Sequence, residues 1–373
     1  MTTALLGGTL AYLALYALVH FWLVVALARR RASTPVWGEG YPWPHVAVLV
    51  PARNEAHNLD RCLASLLALD YPPGKLTLWV GDDRSTDGTA ECIRRYATRH
   101  AGVHYIAITT DLPGQRGKQN VLAQLAHHVP ASTEFLLVTD ADIAVPPTWA
   151  KALVSSFTTP SIALVSGPTV VEAPGWFARL QGLDWRYGVG AFQALAERGL
   201  PVTAVGNNMA YRHSHYRALG GYEALPFSIT EDYRLFQAFR AAGYGCRFVF
   251  APSVANRSAP IVGLRALLHQ RKRWYKGGLE APFHARAVYY LQAVGALLPI
   301  GLALGGHWAW LGAFFALKWL ADGLLIATSA RRLGLPVHGA WLVPWGVYFS
   351  LSLLVLPLYF ILPWAVVWKG RRY

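Results

Sequence analysis

Charge is scarce in this chain. Asp, Glu, Lys and Arg together make up 14% of its 373 residues, against about a quarter in an ordinary soluble domain. Residues 1–28, 287–317 and 333–368 carry no Asp, Glu, Lys or Arg. That distribution argues against an ordinary soluble protein and points to a membrane at both ends. Cysteine is scarce too. Cys62, Cys92 and Cys246 have no metal-ligand spacing, which excludes a disulfide framework and a cysteine zinc site and leaves packed thiols in a reducing cytosol. Acids are fewer than bases, 20 against 34, for a net charge of +14. Six basic residues and one acid lie beyond Arg286, leaving +9 before it. Nucleic acid, an anionic membrane surface or a polyanionic substrate could each take such a charge. Nucleic acid accounts for neither the apolar ends nor the acids described below, so no nucleic-acid partner is expected.

Hydrophobic residues are plentiful, at 54%, and fifteen Trp and eighteen Tyr suit a membrane interface. The length suggests two or three domains' worth of chain. Residues 4–27 are long enough to span a bilayer as a helix, which takes about 20 residues. Arg29, Arg30 and Arg31 follow. A signal peptide carries its charge first, so this reads as an uncleaved anchor with its amino end outside. The positive-inside rule then places the chain from Arg29 onward in the cytoplasm, at the cell's inner membrane. Residues 34–43, rich in Pro and Gly, form a linker.

Residues 46–51 read as a buried strand, followed by Ala52-Arg53-Asn54-Glu55 and a helix over 58–69. A strand over 76–80 runs into Gly81-Asp82-Asp83-Arg84-Ser85-Thr86-Asp87-Gly88-Thr89, where Thr86 or Asp87 can cap the next helix. A third strand, 104–109, leads to Lys118 and another helix. A fourth, from Phe135, runs out into Asp140-Ala141-Asp142. On an extended strand these two carboxylates share a face. Alone, such a pair is an acidic turn. Strands alternating with helices, however, imply a mainly parallel α/β sheet with ligands at the strands' carboxyl ends. Glu55, Asp83, Lys118, Asp140 and Asp142 all fall there. Two facing carboxylates suit a hard divalent cation, Mg2+ or Mn2+, holding a diphosphate.

Residues 161–171 read as one further strand. The aromatic and basic stretch 175–198 is either a helix in the membrane interface or a core helix with a solvated basic face. Thr230-Glu231-Asp232 opens a helix, where an acid can be merely a dipole partner. His269-Gln270-Arg271-Lys272-Arg273-Trp274 suits a diphosphate and a stacked ring, or a juxtamembrane patch on anionic lipid. Residues 287–304 and 308–328 are two more spans, with Lys318 and Asp322 one turn apart inside the second. Residues 333–368 are too long for one simple span. A basic tail, 369–373, also belongs inside, so two short spans or a re-entrant segment are expected there.

Taken in order, Asp83, Asp140-Ala141-Asp142, Glu231-Asp232 and Gln270-x-x-Arg273-Trp274 resemble the membrane-bound inverting glycosyltransferases of family 2. That group includes cellulose, chitin and hyaluronan synthases and ceramide glucosyltransferases, and this chain is also similar to bacterial carotenoid and hopanoid glycosyltransferases. The match covers residues 46–278. The resemblance implies a GT-A fold, an α/β Rossmann-like domain with transmembrane helices at both ends. The implied division is an anchor (1–31), a cytoplasmic catalytic domain (32–260), an interfacial helix (261–286) and a C-terminal transmembrane region (287–373). Asp83, with Glu55, would recognise the base of a UDP-sugar. Asp140 would face ribose and diphosphate, and Lys118 would contact the donor. Asp142, with Asp140, would bind Mg2+ or Mn2+. Asp232 would be the general base, and Gln270, Arg273 and Trp274 would hold the diphosphate and border the acceptor. Chains that extrude polymers usually carry more spans, so a single transfer of a hexose, of the UDP-glucose type, to a membrane lipid is the expected activity. A small processive polysaccharide synthase is the alternative, and a non-catalytic membrane scaffold a third.

Overall fold

The computed structural model describes residues 2–29, 42–337, 339–362, 367–368 and 371–372. Residues 34–41 of the linker expected over 34–43, Arg30, Arg31 and most of the basic tail lie outside the described residues.

In chain order the elements are α1 (Thr2–Ala28), β1 (Val46–Ala52), α2 (Ala56–Leu67), β2 (Leu76–Asp82), α3 (Thr89–Arg99), β3 (Val103–Ala107), α4 (Gly117–His128), β4 (Phe135–Val138), β5 (Ile143–Ala144) and α5 (Trp149–Val154). There follow β6 (Ile162–Ser166), β7 (Thr169–Val171), α6 (Trp176–Glu197), β8 (Met209–Arg212), α7 (His213–Ala218), α8 (Glu231–Ala241), β9 (Gly245–Phe248) and β10 (Asn256–Ser258). The remainder is α9 (Leu264–Gly278), α10 (Phe283–Leu304), α11 (Trp308–Arg332), α12 (Leu342–Ile361), β11 (Val367–Trp368) and β12 (Arg371–Arg372).

The main sheet has seven strands in the order β3-β2-β1-β4-β8-β6-β9. β1 lies parallel to β2 and β4, and β2 parallel to β3, as alternating strands and helices require. Every residue of β1 and β4 is buried, which is why both read as unbroken apolar runs. β8 enters antiparallel to both neighbours. Ala52 is level with Asp82, and Leu49 with Val138, so the loops carrying Glu55, Asp83 and Asp140 leave one edge of the sheet together. The single strand expected over 161–171 is two. The chain turns at Gly167-Pro168, and β7 joins β5 and β10 in a small second sheet.

α1, α10, α11 and the segment Gly339–Ile361 are long and apolar enough to cross a membrane. α6 is the seam between these helices and the sheet, packed on β7, α1, α11 and α12. Its basic residues divide: Arg179 and Arg198 are exposed, whereas Arg186 is 6% exposed, pairs with Glu172 at 3.2 Å and donates to the Pro336 carbonyl at 2.9 Å. At the end of α11, Arg332 donates to the Leu27 carbonyl (2.8 Å) and meets Glu197 (3.4 Å), tying α1, α6 and α11 together. One long helix occupies the stretch after residue 341, with both ends on domain elements. Arg179 of α6 lies over the Trp341 ring at its start, and Lys272 of α9 donates to the Tyr359 and Leu362 carbonyls at its end.

Candidate active site

Three loops form one rim of the candidate site. Asn54 and Arg84, one after each of β1 and β2, have positive φ (52° and 55°), a backbone state that non-glycine residues adopt only when their surroundings hold them there. The loops are stitched together. Asn54 N–H donates to Ser85 Oγ (3.0 Å), Thr86 N–H to Asn54 Oδ1 (2.9 Å), and the Arg53 guanidinium to the Asp83 carbonyl. Asp83 is buried, with its carboxylate 3.2 Å from Arg84, which also pairs with Asp111 at 2.6 Å. Glu55 is buried where α2 begins. Its backbone N–H donates to Thr89 Oγ1, and its carboxylate accepts from Asn58. Asp87 accepts from the Thr89 and Ala56 N–H groups, so one carboxylate serves the open first turns of α2 and α3.

Asp140 and Asp142 lie beyond the strand, because β4 ends at Val138. They occupy a turn closed by Ile143 N–H to the Asp140 carbonyl (3.1 Å), so strand alternation does not set their directions. α2 holds that turn through Arg61, which donates to the Asp142 carbonyl, and Cys62, whose Sγ is 3.5 Å from the Asp140 carbonyl. No cluster of three His, Cys, Asp or Glu side chains able to hold a metal occurs among the described residues. Two carboxylates without a third suit a cation whose other ligands are phosphate oxygens and water, which is how Mg2+ is usually held at phosphate sites.

The sheet edge meets α8 through Lys118. Its Nζ lies 2.7 Å from Asp140 Oδ1 and 2.9 Å from Glu231 Oε1, and donates to the Gly206 carbonyl at 3.2 Å. Burial alone would lower this ammonium's pKa, but Asp140, Glu231 and Asp232 around it raise it far above its usual range. Next to Glu231, Asp232 Oδ2 accepts the Gly206 N–H at 2.7 Å and Oδ1 accepts the Tyr233 N–H at 2.8 Å. Desolvation and the neighbouring Glu231 push its pKa up to about 6, against the pull of Lys118 and the two backbone donors. A carboxylate at that value is ionised at neutral pH yet basic enough to take a proton.

α9 is docked on this floor at its carboxyl end. A Cβ on Gly277 would come 2.7 Å from Thr230 Cγ2, so only glycine allows that approach. Tyr233 donates to the Glu280 carbonyl (2.8 Å), and Arg234 pairs with the Glu280 carboxylate (3.0 Å). Gln270, Arg273, Trp274 and Gly277 follow helical spacing, so the face carrying the first three continues to the point of contact with α8. Trp274 also meets the Trp185 ring at 5.1 Å. Thus Lys118, Asp140, Glu231 and Asp232 come together directly. Glu55, Asp83 and Asp142 sit along the same edge, and Gln270, Arg273 and Trp274 lie on α9, whose carboxyl end meets α8 through Gly277 and Glu280.

Sequence reasoning missed Gly206, which touches both Asp232 and Lys118, and Asn208, fully buried behind it. The Asn208 amide donates to the Pro168 (2.6 Å) and Val254 (2.7 Å) carbonyls and accepts from Trp149 Nε1 (2.8 Å). The Gly206-Asn207-Asn208 run was the available signal.

Residues 9–373 match the profile of Glycosyl transferase family 21. A β-monoglucosyldiacylglycerol synthase of Synechocystis sp. is 24% identical over 241 residues, covering 64% of this chain and 49% of that protein. An N-acetylglucosaminyltransferase of Rhizobium leguminosarum bv. viciae is 28% identical over 288 residues, covering 73% of this chain and 66% of the relative. The chain therefore spans about half the length of the first and about two thirds of the second. A mannosyltransferase of Pyrobaculum calidifontis, solved with GDP-mannose and Mn2+, superimposes over 97% of this chain and 99% of its own with a TM-score of 0.63 at 21% identity. At that identity the likeness speaks to the fold, a GT-A domain with its flanking helices. The motifs pointed to family 2 and to ceramide glucosyltransferases within the resemblance; by the profile match, this chain belongs to glycosyl transferase family 21.

Proposed function

We propose that this enzyme transfers a hexose, with inversion, from a UDP-sugar to a hydroxyl group of a membrane lipid. The observation that carries the reading is the setting of Asp232. It is a basic carboxylate held by the Gly206 N–H, on the floor to which the carboxyl end of α9 is docked, and the apolar helix α10 begins at Phe283, shortly after α9 ends at Gly278. A hydroxyl arriving along α9 and α10 from the bilayer would meet this carboxylate first.

In the proposed step the acceptor O–H gives its proton to Asp232 while its oxygen attacks the anomeric carbon. The bond from that carbon to the diphosphate oxygen breaks, and its electron pair leaves with the nucleoside diphosphate. One displacement inverts the centre and needs no second carboxylate as nucleophile. Arg273 and Gln270 stabilise the leaving diphosphate, and Trp274 borders the acceptor. Asp83 and Glu55 hold the uracil side, and Lys118 keeps Asp140 directed toward the donor. Asp142, with Asp140, would hold Mg2+ or Mn2+, which when bound neutralises charge developing on the diphosphate. The arginines after α1 and at the end of α11 support a catalytic domain on the cytoplasmic face of an inner membrane.

The test uses the full chain in lipid nanodiscs with a panel of UDP- and GDP-hexoses. Products are identified by mass spectrometry and their anomeric configuration by NMR. We expect a glycolipid from a UDP-hexose, with the configuration inverted. Exclusive use of a GDP-sugar, retention of configuration, or a soluble polymer as the product would each contradict the proposal.

A further inference from the structure

The seam helix α6 grips the catalytic helix α9 with two consecutive residues. Asp184, whose side chain is 10% exposed, accepts from the Arg271 guanidinium at 2.7 Å and from the Tyr348 hydroxyl of α12 at 3.3 Å. Arg271 in turn lies 4.5 Å over the Trp274 ring, and Trp185 meets the same ring edge-on at 5.1 Å. Arg271 and Trp274 are one turn apart, so α6 holds a full turn of α9 from one side while Gly277 fixes its carboxyl end on Thr230. One turn beyond Asp184, Tyr187 is bonded to His20 of α1 at 3.0 Å and to Gln292 of α10. α6 is thus footed in the apolar helices at one residue and in α9 at another.

A buried ion pair is a costly way to gain stability, since desolvating two charges consumes most of their attraction. What it does supply is direction: a guanidinium fixed by a carboxylate on one side and a ring on the other has one orientation. We propose that Asp184 is a positioning residue for the transfer reaction. Through Arg271 and Trp274 it fixes the rotation of α9 about its axis, and with it the approach of Gln270 and Arg273 to the reacting diphosphate. This rests on the roles of Gln270 and Arg273 proposed above. Asp184 itself touches neither donor nor acceptor.

The test compares Asp184→Asn, Asp184→Glu, Arg271→Gln and the Asp184→Asn/Arg271→Gln double variant with Arg273→Gln as a benchmark. All are full-length proteins in nanodiscs, assayed with the UDP-sugar the parent turns over and normalised to folded protein by thermal unfolding. A misplacement of order 1 Å can cost about 10²-fold in rate. We expect Asp184→Asn and Arg271→Gln each to lose ~10-fold or more in kcat per folded molecule, and the double variant to be no worse than the poorer single one, because one contact is broken in all three. Asp184→Glu, which keeps the charge, should recover part of the loss and covers the case in which Asp184→Asn does not fold. A purely structural role would lower the melting temperature and leave kcat and KM of the folded fraction at parental values. That result, beside an impaired Arg273→Gln, overturns the proposal alone. An Arg273→Gln enzyme with parental kcat and KM would instead overturn the assigned role of α9, and this proposal with it.

Discussion

Gly206 and Asp232 are in contact through one backbone hydrogen bond of 2.7 Å, and a Cβ on Gly206 would stand 2.7 Å from that same carboxylate oxygen and 2.8 Å from Asp232 Cβ. The position is glycine because of its neighbour, not because of a left-handed backbone. Gly206→Ala should therefore push Asp232 off its donor. Overpacking of this kind costs about 1–3 kcal/mol, and a displaced base costs turnover by a factor of order 10–100. The check is kcat beside thermal unfolding on one preparation. An alanine variant with kcat within twofold of the parent would show that the contact does not matter to the chemistry.

Lys118 is the cation among three carboxylates, and it lowers the pKa of Asp232. Lys118→Met removes that pull, so the Asp232 pKa rises above about 6. Because the base must be ionised to act, the acid limb of kcat against pH should move to higher pH, and raising the pH should recover part of the lost rate. A limb that stays in place or moves down would remove Lys118 from this electrostatic role.

Metal dependence should centre on Asp142. Asp142→Asn keeps the turn, since Arg61 donates to the Asp142 backbone carbonyl and the Ile143 N–H to the Asp140 backbone carbonyl. It should need roughly tenfold or more Mn2+ for half-maximal activity, while chelator silences the parent. Full parental activity in excess chelator would contradict the metal-bridged reading.

The apolar helices carry their own polar core. Asp322 accepts from Lys318 (2.7 Å) and Tyr16 and lies 3.1 Å from His20, and all four are almost completely buried. Removing one partner leaves an uncompensated charge, at a cost of about 3–5 kcal/mol. Asp322→Asn should lower the melting temperature in nanodiscs, and Lys318→Met/Asp322→Leu should restore most of it. A single variant with the parental melting temperature would mean the cluster contributes nothing to stability.

The parallel half of the fold was legible because β1 and β4 are apolar throughout and their loops end in short polar motifs with few alternative readings. The 318–322 pairing was legible for the same local reason, one helical turn of spacing. Two things were not. Strand alternation does not extend to Asp140 and Asp142, because the strand stops at Val138 and a turn takes over. Nor could α6 be assigned from its own pattern. Arg186 and Asp184 are charged, yet they are buried by partners (Glu172, Arg271) far away in sequence, and composition carries no record of who pairs with whom. Gly206 is a similar case, since its significance is a distance to residue 232.

The central claim is that Asp232 takes the acceptor's proton, and Asp232→Asn tests it most directly. The variant keeps the size of the side chain and leaves Asp83, Asp140 and Asp142 untouched, but cannot accept a proton. The measurement is product formation beside UDP-sugar titration on the same full-length sample in nanodiscs, from pH 5 to 8. For the parent, the account predicts a rate that falls as pH drops through about 6. The same shift has a stability sign: a carboxyl whose folded pKa is raised contributes stability that is full below its unfolded value and is lost as pH rises through about 6. For Asp232→Asn the account predicts donor affinity within a few-fold of the parent, no acid limb near pH 6, and transfer reduced by about 10²–10⁴-fold. Transfer within a few-fold of the parent, with its acid limb intact, would contradict it.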